Sequence, residues 1–309
     1  MFLLHFPLYS FTIISRINKE KGKRSWKMDL KNRTLSNFAE LVETGECKNF
    51  KGRLKVGVDL GTANTVLAVV DTSNRPIAGI SAPSHAIQDG VIVNYYECVQ
   101  LVTRLKETLE ERLGTELTYA AAAIPPGVSE GSVKSIGYVL EGAGFEVTNI
   151  VDEPTAAAAV LKIRDGAVVD VGGGTTGISI LKDGKVIYTD DEATGGTHMT
   201  MTVAGNYRIP YEEAELLKRQ PDKQDEIFPV IKATVEKMAL ITEKFLKGYE
   251  VPAIYVVGGS SMFREFTSVF EKHLKLPVYQ PVHPLLVTPL GIAYCCELPK
   301  LSPKKDNKI

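Results

Sequence analysis

The sequence predicts an α/β protein built around two similar hairpins that face each other. One observation behind this prediction is a glycine-rich β-hairpin that occurs twice in the chain. Asp59 and Gly61 mark the first copy, and Asp170 and Gly172 follow 111 residues later in the second. The other observation is that helical patterns alternate with short buried strands around both copies. An internal repeat fixes the architecture, so two related lobes are expected.

The residues at the bend of the hairpin indicate its chemistry. In the second copy Asp170 ends an apolar strand, and Gly172, Gly173, Gly174 and Thr175 follow. Glycines let the backbone approach a ligand closely and turn its N–H groups toward an anion, while a carboxylate at the strand end can hold a metal ion through water. The bend therefore indicates a phosphate–magnesium site, shared between two facing hairpins. An ordinary hairpin, whose glycines only allow the turn, is the alternative.

Composition sets limits on the class of protein. The chain has 309 residues, of which 44% are hydrophobic, so it can bury a large core. Its net charge of −1 does not favour binding to nucleic acid or to an anionic membrane. The four cysteines lack CxxC spacing, which favours free thiols and a cytoplasmic location.

The first 52 residues are interpreted as an N-terminal extension. Residues 1–27 combine a short apolar run with a basic flank; the run is too short to span a bilayer and does not have the order of a signal peptide. We expect disorder to about residue 33, with translation starting at Met28; a hydrophobic anchor with a basic flank is the alternative for residues 1–27. A short amphipathic helix follows over 34–46, with Phe38, Leu41 and Val42 on its apolar face. This helix either packs on the domain or serves as a docking peptide.

The rest of the chain alternates between strands and helices. Strands are predicted at 77–81, 119–124, 147–151 and 185–188, and another over 253–261 that runs into a glycine turn. Helices are predicted at 95–113, 130–141, 152–161, 211–218, 227–246, 262–274 and 290–296, and one after the glycines at 195–196. Residues 298–309 form a polar tail.

Five motifs now stand in a fixed order, and together they resemble the superfamily of actin, the sugar kinases and the DnaK-type chaperones. The motifs are Asp59-Leu-Gly-Thr-Ala-Asn-Thr, Val151-Asp-Glu-Pro-Thr, Asp170-Val-Gly-Gly-Gly-Thr-Thr, Val257-Gly-Gly-Ser-Ser and Pro289-Leu-Gly-Ile-Ala. They look like two phosphate loops, an adenosine motif and two connecting helices, and they cover about residues 54–297. The resemblance implies a duplicated ribonuclease H-like fold with a nucleotide cleft. It places lobe I at residues 53–166 plus 284–297 and lobe II at 167–283.

The resemblance also implies the site. ATP or ADP would be bound by Gly61, Thr62, Ala63, Gly172, Gly173, Gly174, Thr175, Gly195, Gly196, Glu215, Lys218, Gly258, Gly259 and Ser260. Asp59 and Asp170 would hold Mg²⁺, largely through water. Glu153 would orient the attacking water. The alternative is that Glu153 is only a carboxylate at the start of a helix, where the helix dipole stabilises it.

The sequence departs from the chaperone pattern at three points. Gly177 stands where the chaperones have an acid near the magnesium, and Thr197 and His198 stand where an acid commonly follows the two glycines. No lysine matches their catalytic lysine. These departures bear on the rate of ATP hydrolysis more than on the binding of the nucleotide.

Three functions stay open at this stage. The first is an ATP-hydrolysing, chaperone-like protein that acts on a protein partner. The second is an ATP-gated regulator or actin-like scaffold with little turnover, in which the chain could form homo-oligomers. The third is a small-molecule kinase, for which residues 71–151 leave little room for a substrate domain. No nucleic-acid partner and no transmembrane span are expected.

Overall fold

The structure is a computed structural model that describes residues 26–84, 86–88 and 91–300, with side chains from residue 32 onwards. The expectations for residues 1–25 and for the end of the polar tail lie outside the described residues. Within the described ranges, every helix is too short or too polar to cross a membrane.

Strands and helices are numbered along the chain. The strands are β1 (Leu54–Leu60), β2 (Asn64–Asp71), β3 (Pro76–Pro83), β4 (Ile87–Gln88), β5 (Val91–Ile92), β6 (Tyr119–Ile124), β7 (Glu146–Asp152), β8 (Gly166–Val171), β9 (Thr176–Lys182), β10 (Lys185–Glu192), β11 (Ile254–Val257) and β12 (Val278–Tyr279). The helices are α1 (Trp26–Thr44), α2 (Tyr95–Leu113), α3 (Glu130–Gly142), α4 (Glu153–Leu161), α5 (Gly196–Tyr207), α6 (Tyr211–Arg219), α7 (Gln224–Phe245), α8 (Phe266–Leu274) and α9 (Val287–Cys295).

Two five-stranded sheets have the same topology. The first sheet has the order β3-β2-β1-β6-β7, and the second has the order β10-β9-β8-β11-β12. In each sheet the hairpin strands and the third strand are antiparallel, and the last two strands run parallel to the first hairpin strand. This repetition confirms the predicted duplicated α/β fold. The exact division into lobes, with its boundary at 166/167, stays a prediction.

Helices α4 and α9 lie in contact with each other between the sheets. A Cβ atom on Gly291 of α9 would overlap the backbone of Ala156 in α4, so the two helices can pack closely only with glycine there. Gly57 of β1 has the same role, because its Cβ would lie 2.6 Å from Pro289 O. The alanines of α4 favour the helix and leave room for this close packing. The pair therefore connects one sheet to the other.

Helix α1 is longer than predicted and belongs to the core. It begins at Trp26, so residues 26–33, for which disorder was expected, are helical. Leu35 and Phe38 are fully buried, and they belong to a hydrophobic cluster that also contains residues of both sheets and of the connecting helices. Phe38 and Val42 press against Gly79 of β3, where a Cβ would lie 2.5 Å from Val42. The helix thus packs on the domain, and its apolar face is not available as a docking peptide.

Most other predicted elements are confirmed, with shifts at their ends. Helix α9 begins at Val287 rather than at residue 290, because Pro289 lies in its first turn, where proline is tolerated. Helix α8 begins at Phe266, four residues later than predicted, since a short 3₁₀ helix at Gly259–Ser261 comes first. Strand β10 extends to Glu192 because its acidic end still pairs with β9.

Candidate functional site

The bends of the two hairpins meet, as the repeat predicts. Residues 61–63 join β1 to β2, and residues 172–175 join β8 to β9. The N–H of Gly61 donates to Asn64 O at 3.1 Å, and the N–H of Gly172 donates to Thr175 O at 3.0 Å. The bends approach so closely that a Cβ on Gly173 would lie 3.1 Å from Cβ of Thr62. Each sheet therefore contributes one glycine-containing bend to the same place.

The carbonyl groups of the second bend accept hydrogen bonds from the start of α5 and from Ser260. The N–H groups of Gly196 and Thr197 donate to Gly172 O at 3.0 Å and to Gly173 O at 2.8 Å. The Ser260 hydroxyl also donates to Gly172 O, at 2.7 Å. Within the described part of the chain, no backbone carbonyl accepts from the N–H groups of Gly173 and Gly174. Such a bend can present its N–H groups to an anion.

The first bend also has a carbonyl group that accepts a backbone hydrogen bond and N–H groups that lack a backbone acceptor among the described residues. Ala63 O accepts from the N–H of Ser84 at 3.2 Å. Among the described residues, no backbone carbonyl accepts from the N–H groups of Thr62 and Ala63. The two bends together offer four such N–H groups from two sides, which suits the oxygens of a polyphosphate.

Three carboxylates lie at this junction: Asp59 near the end of β1, Asp170 near the end of β8, and Glu153 at the start of α4. Burial and the neighbouring Asp170 raise the pKa of Asp59 to about 7. Burial raises the pKa of Asp170 to about 6, although a hydrogen bond from Thr288 opposes the rise. Burial and then the charges of Asp170 and Asp59 raise the pKa of Glu153 well above its ordinary value. Burial is the largest cause of all three rises, and neighbouring charges add to those of Asp59 and Glu153; a nearby cation would favour the ionised carboxylates.

The donor set fits a hydrated magnesium ion. Among the described residues, no three acidic, histidine or cysteine side chains converge closely enough to hold a metal ion directly. Mg²⁺ keeps several waters and is usually bound through one or two carboxylates plus phosphate oxygens. Asp59 and Asp170, on facing strands beside the N–H groups of the bends, match that pattern.

Sequence reasoning missed Asp191, a fourth acid beside the site. Gly177 and Asp191 are cross-strand partners in β9 and β10. A Cβ on Gly177 would lie 3.3 Å from Asp191 Oδ1 and 3.4 Å from Pro154 Cγ, so the carboxylate lies over the glycine and beside the start of α4. Its charge adds to the rise in the pKa of Glu153. Position 177 thus has no acidic side chain, but Asp191 on the neighbouring strand places one beside it. No local motif reveals this position.

Thr197 and His198, the other departures from the chaperone pattern, support the glycine loop. The Thr197 hydroxyl donates to Gly173 O at 2.8 Å. His198 Nδ1 accepts from the N–H of Gly195 at 3.3 Å. A Cβ on Gly195 would lie 2.6 Å from Gly173 O, so glycine is needed for this contact. These residues hold the second bend in place.

The predicted adenosine residues also come together. Gly196 lies so close to Ser260 that a Cβ on the glycine would overlap Ser260 Oγ. Lys218 Nζ donates to Gly196 O at 3.0 Å and forms an ion pair with Glu215 at 2.6 Å. The neighbouring Gly258 has a φ of +87°, which favours glycine. Gly259 packs against Leu285, since its Cβ would lie 3.0 Å from Leu285 Cδ1.

The Glu215–Lys218 pair is fixed by further contacts. Arg219 Nε lies 2.6 Å from Glu215 Oε1, and the Thr200 hydroxyl donates to Glu215 Oε2. Burial raises the pKa of Glu215, but the charges of Lys218 and Arg219 outweigh it and hold the pKa at about 2. Burial lowers the pKa of Lys218. A charged, oriented pair therefore borders the glycines of lobe II.

Comparisons with known proteins agree with this geometry. Residues 167–291 match the family of cell division protein FtsA, and residues 80–218 match MreB/Mbl protein. The ethanolamine utilization protein EutJ of Salmonella typhimurium is 45% identical over 241 residues, which are 78% of this chain and 85% of that protein.

Solved structures give the same result. A crystal structure of ethanolamine utilization protein EutJ from Carboxydothermus hydrogenoformans matches with a TM-score of 0.82 and 44% identity, over 87% of this chain and 99% of that chain. MreB5 of Spiroplasma citri bound to AMPPNP matches with a TM-score of 0.65 and 18% identity, over 78% of this chain and 95% of that chain. The latter likeness concerns the fold alone. The predicted actin-like ATPase fold is therefore confirmed.

Proposed function

The chain belongs to the family of ethanolamine utilization protein EutJ, which has the actin-like ATPase fold, and we propose that it binds and hydrolyses ATP with Mg²⁺ between its lobes. The observation that carries this proposal is the meeting of the two bends beside Asp59, Glu153 and Asp170. The related fold of MreB5, whose structure is described as bound to AMPPNP, supports a nucleotide as the ligand.

The chemistry follows from positioning and charge, which dominate phosphoryl transfer. The N–H groups of both bends would bind the phosphates, while Asp59 and Asp170 would hold the metal ion through water. When bound, Mg²⁺ neutralises charge on the phosphates and offsets that of the two aspartates. Glu153 then orients the attacking water and accepts its proton. Gly258, Gly259 and Ser260 pack on the adenosine, bordered by the Glu215–Lys218 pair.

We further propose that the nucleotide state controls a protein partner. The partner would come from the ethanolamine pathway or its bacterial microcompartment, and the protein would act there as a cytoplasmic, chaperone-like switch. Closing the cleft changes the surfaces of both lobes, so a partner that prefers one state would be captured or released on hydrolysis. The apolar face of α1 is buried, so this partner must contact other surfaces of the lobes.

The first test is nucleotide binding and turnover. With ATP and Mg²⁺ at a hundredfold excess over the dissociation constant, the fold should be stabilised by about 2.7 kcal/mol. Thermal melts and a phosphate-release assay measure both properties. No shift with any nucleotide at saturating concentration would contradict the proposed site, and a shift without phosphate release would favour a regulator or scaffold.

The second test concerns the partner. The Glu153→Ala protein, loaded with ATP or with ADP, is used to capture proteins from a lysate of cells grown on ethanolamine. Partner affinity should differ between the two states by about 1–3 kcal/mol, the usual size of coupling between two sites. Equal capture in both states would contradict the switch. Sedimentation at high speed only with ATP would instead favour an actin-like scaffold, and phosphate transfer to a small acceptor would favour a kinase.

A further inference from the structure

A buried hydrogen bond links Asp170 to a residue that no motif singles out. The Thr288 hydroxyl donates to Asp170 Oδ2 at 2.5 Å. Both side chains are almost fully buried, with exposed fractions of 4% and 5%. A hydrogen bond to a carboxylate in such surroundings is strong and directional, because water does not compete for it.

This bond crosses between the two halves of the molecule. Asp170 lies in β8 of the second sheet, whereas Thr288 lies in the first turn of α9. Helix α9 packs against the first sheet, since a Cβ on Gly57 of β1 would lie 2.9 Å from Ala293 Cα. The hydroxyl therefore fixes a carboxylate of one half to a helix that rests on the other.

The second oxygen of Asp170 is confined as well. A Cβ on Gly258 would overlap Asp170 Oδ1, so the glycine backbone lies directly against the carboxylate. With Gly258 on one oxygen and Thr288 on the other, the carboxylate has one available orientation.

We propose that Thr288 is a positioning residue that orients Asp170 toward the bound magnesium ion and thereby couples α9 to metal binding. This inference rests on the proposed function, because it concerns the metal–nucleotide site. Side chains that hydrogen-bond a metal ligand orient it, and their loss commonly reduces metal affinity by about 10–100-fold.

The test compares the affinity for ATP with saturating Mg²⁺ and with EDTA, measured by calorimetry. In Thr288→Val, which keeps the size but removes the donor, the gain in affinity due to Mg²⁺ should fall by about 10–100-fold. Affinity for ATP in EDTA should stay near that of the parent. Thr288→Ser, which keeps the hydroxyl, should restore most of the gain. A titration with Mn²⁺ followed by electron paramagnetic resonance gives a readout independent of turnover.

Thr242→Val is a matched control. Thr242 is fully buried in α7, and its hydroxyl donates to Met238 O of the same helix at 3.0 Å. This variant loses a buried threonine hydroxyl without contact to Asp170, so the gain due to Mg²⁺ should not change. If Thr288→Val does not fold, Thr288→Cys takes its place, because a thiol is a weak donor.

The outcomes separate this inference from the proposed function. No binding of ATP by the parent would overturn the proposed function itself. If the parent binds ATP and Thr288→Val shows the same gain in affinity due to Mg²⁺ as the parent, only the proposed role of Thr288 is overturned. An equal loss of affinity with Mg²⁺ and with EDTA would also overturn it, because that pattern indicates a structural effect.

Discussion

The two hairpins share their geometry but not the support of their carboxylates. Six of the seven residue pairs in β1–β2 have their equivalents in β8–β9, with Asp59 opposite Val66 and Asp170 opposite Gly177. Asp170 is held by Thr288 and by the backbone of Gly258. Among the described residues, no side chain donates a hydrogen bond to Asp59.

This difference shows that a repeated sequence does not imply equal roles. The second bend is supported by α5 and by Ser260, whereas the first bend, among the described residues, accepts one backbone hydrogen bond from outside its hairpin, from Ser84. The second bend is therefore the more firmly held of the two. Variants of Glu153, which belongs to neither hairpin, and of each hairpin show what this difference does for function.

Glu153→Ala should have the largest effect. Loss of a general base is expected to slow hydrolysis by about 10²–10⁴-fold, while ATP binding stays nearly intact, because both bends and both aspartates remain. Single-turnover phosphate release and calorimetric affinity measure the two properties. Hydrolysis at the parental rate would show that the assigned role of Glu153 is wrong.

Asp170→Asn and Asp59→Asn compare the two hairpins directly. Because Asp170 is preoriented, its loss should weaken binding of Mg·ATP by about 10–100-fold, and loss of Asp59 should weaken it less. Affinities in Mg²⁺ and in EDTA separate the metal-dependent part. An equal loss in both variants would indicate that the supports around Asp170 have no functional consequence.

The sequence predicts the repeated part of the molecule well. The offset of 111 residues predicts both hairpins, and the structure shows that their registers are equivalent. Strong apolar periodicity predicts helix α2 to the residue, because Asn94 caps its start and Gly114 ends it in a left-handed conformation. Local patterns are sufficient where the signals for periodicity and capping agree.

The parts that sequence reasoning missed depend on contacts between distant segments. The Thr288–Asp170 bond joins residues that are far apart in the chain, so no spacing reveals it. Asp191 reaches the site only because β10 pairs with β9 beyond the predicted end of the strand. Strand β12 is two residues long and is stabilised by pairing with β11, so it gives no periodic signal.

Gly61→Ala and Gly172→Ala should separate the two bends by stability. A Cβ on Gly61 would lie 2.8 Å from Asn64 O, whereas a Cβ on Gly172 has only an ordinary contact, 3.8 Å from Thr175 O. Forcing atoms into an occupied space should make Gly61→Ala less stable by about 1–3 kcal/mol, with Gly172→Ala close to the parent. Urea unfolding measures this difference, and equal stability of both variants would contradict it.

The smallest expected effect is a dependence of stability on pH in the metal-free protein. Burial and the nearby Asp170 raise the pKa of Asp59 to about 7, and burial raises that of Asp170 to about 6. In the unfolded chain both carboxyl groups titrate near about 3.9. Between these values the folded protein binds more protons than the unfolded chain, so stability must fall as pH rises.

The two hairpins should contribute to different parts of this pH range. Asp59→Asn should make the fall in stability shallower up to about pH 7, whereas Asp170→Asn should do so only up to about pH 6, because Thr288 opposes the rise in the pKa of Asp170; the contribution of Glu153 remains in both variants. Mg·ATP should stabilise the parent more as the pH rises, since the cation binds the deprotonated carboxylates. Melting curves of the parent and both variants between about pH 4 and 8 measure these differences. If both variants had the pH profile of the parent, the two carboxylates would not share the buried, repulsive surroundings on which the comparison of the hairpins depends.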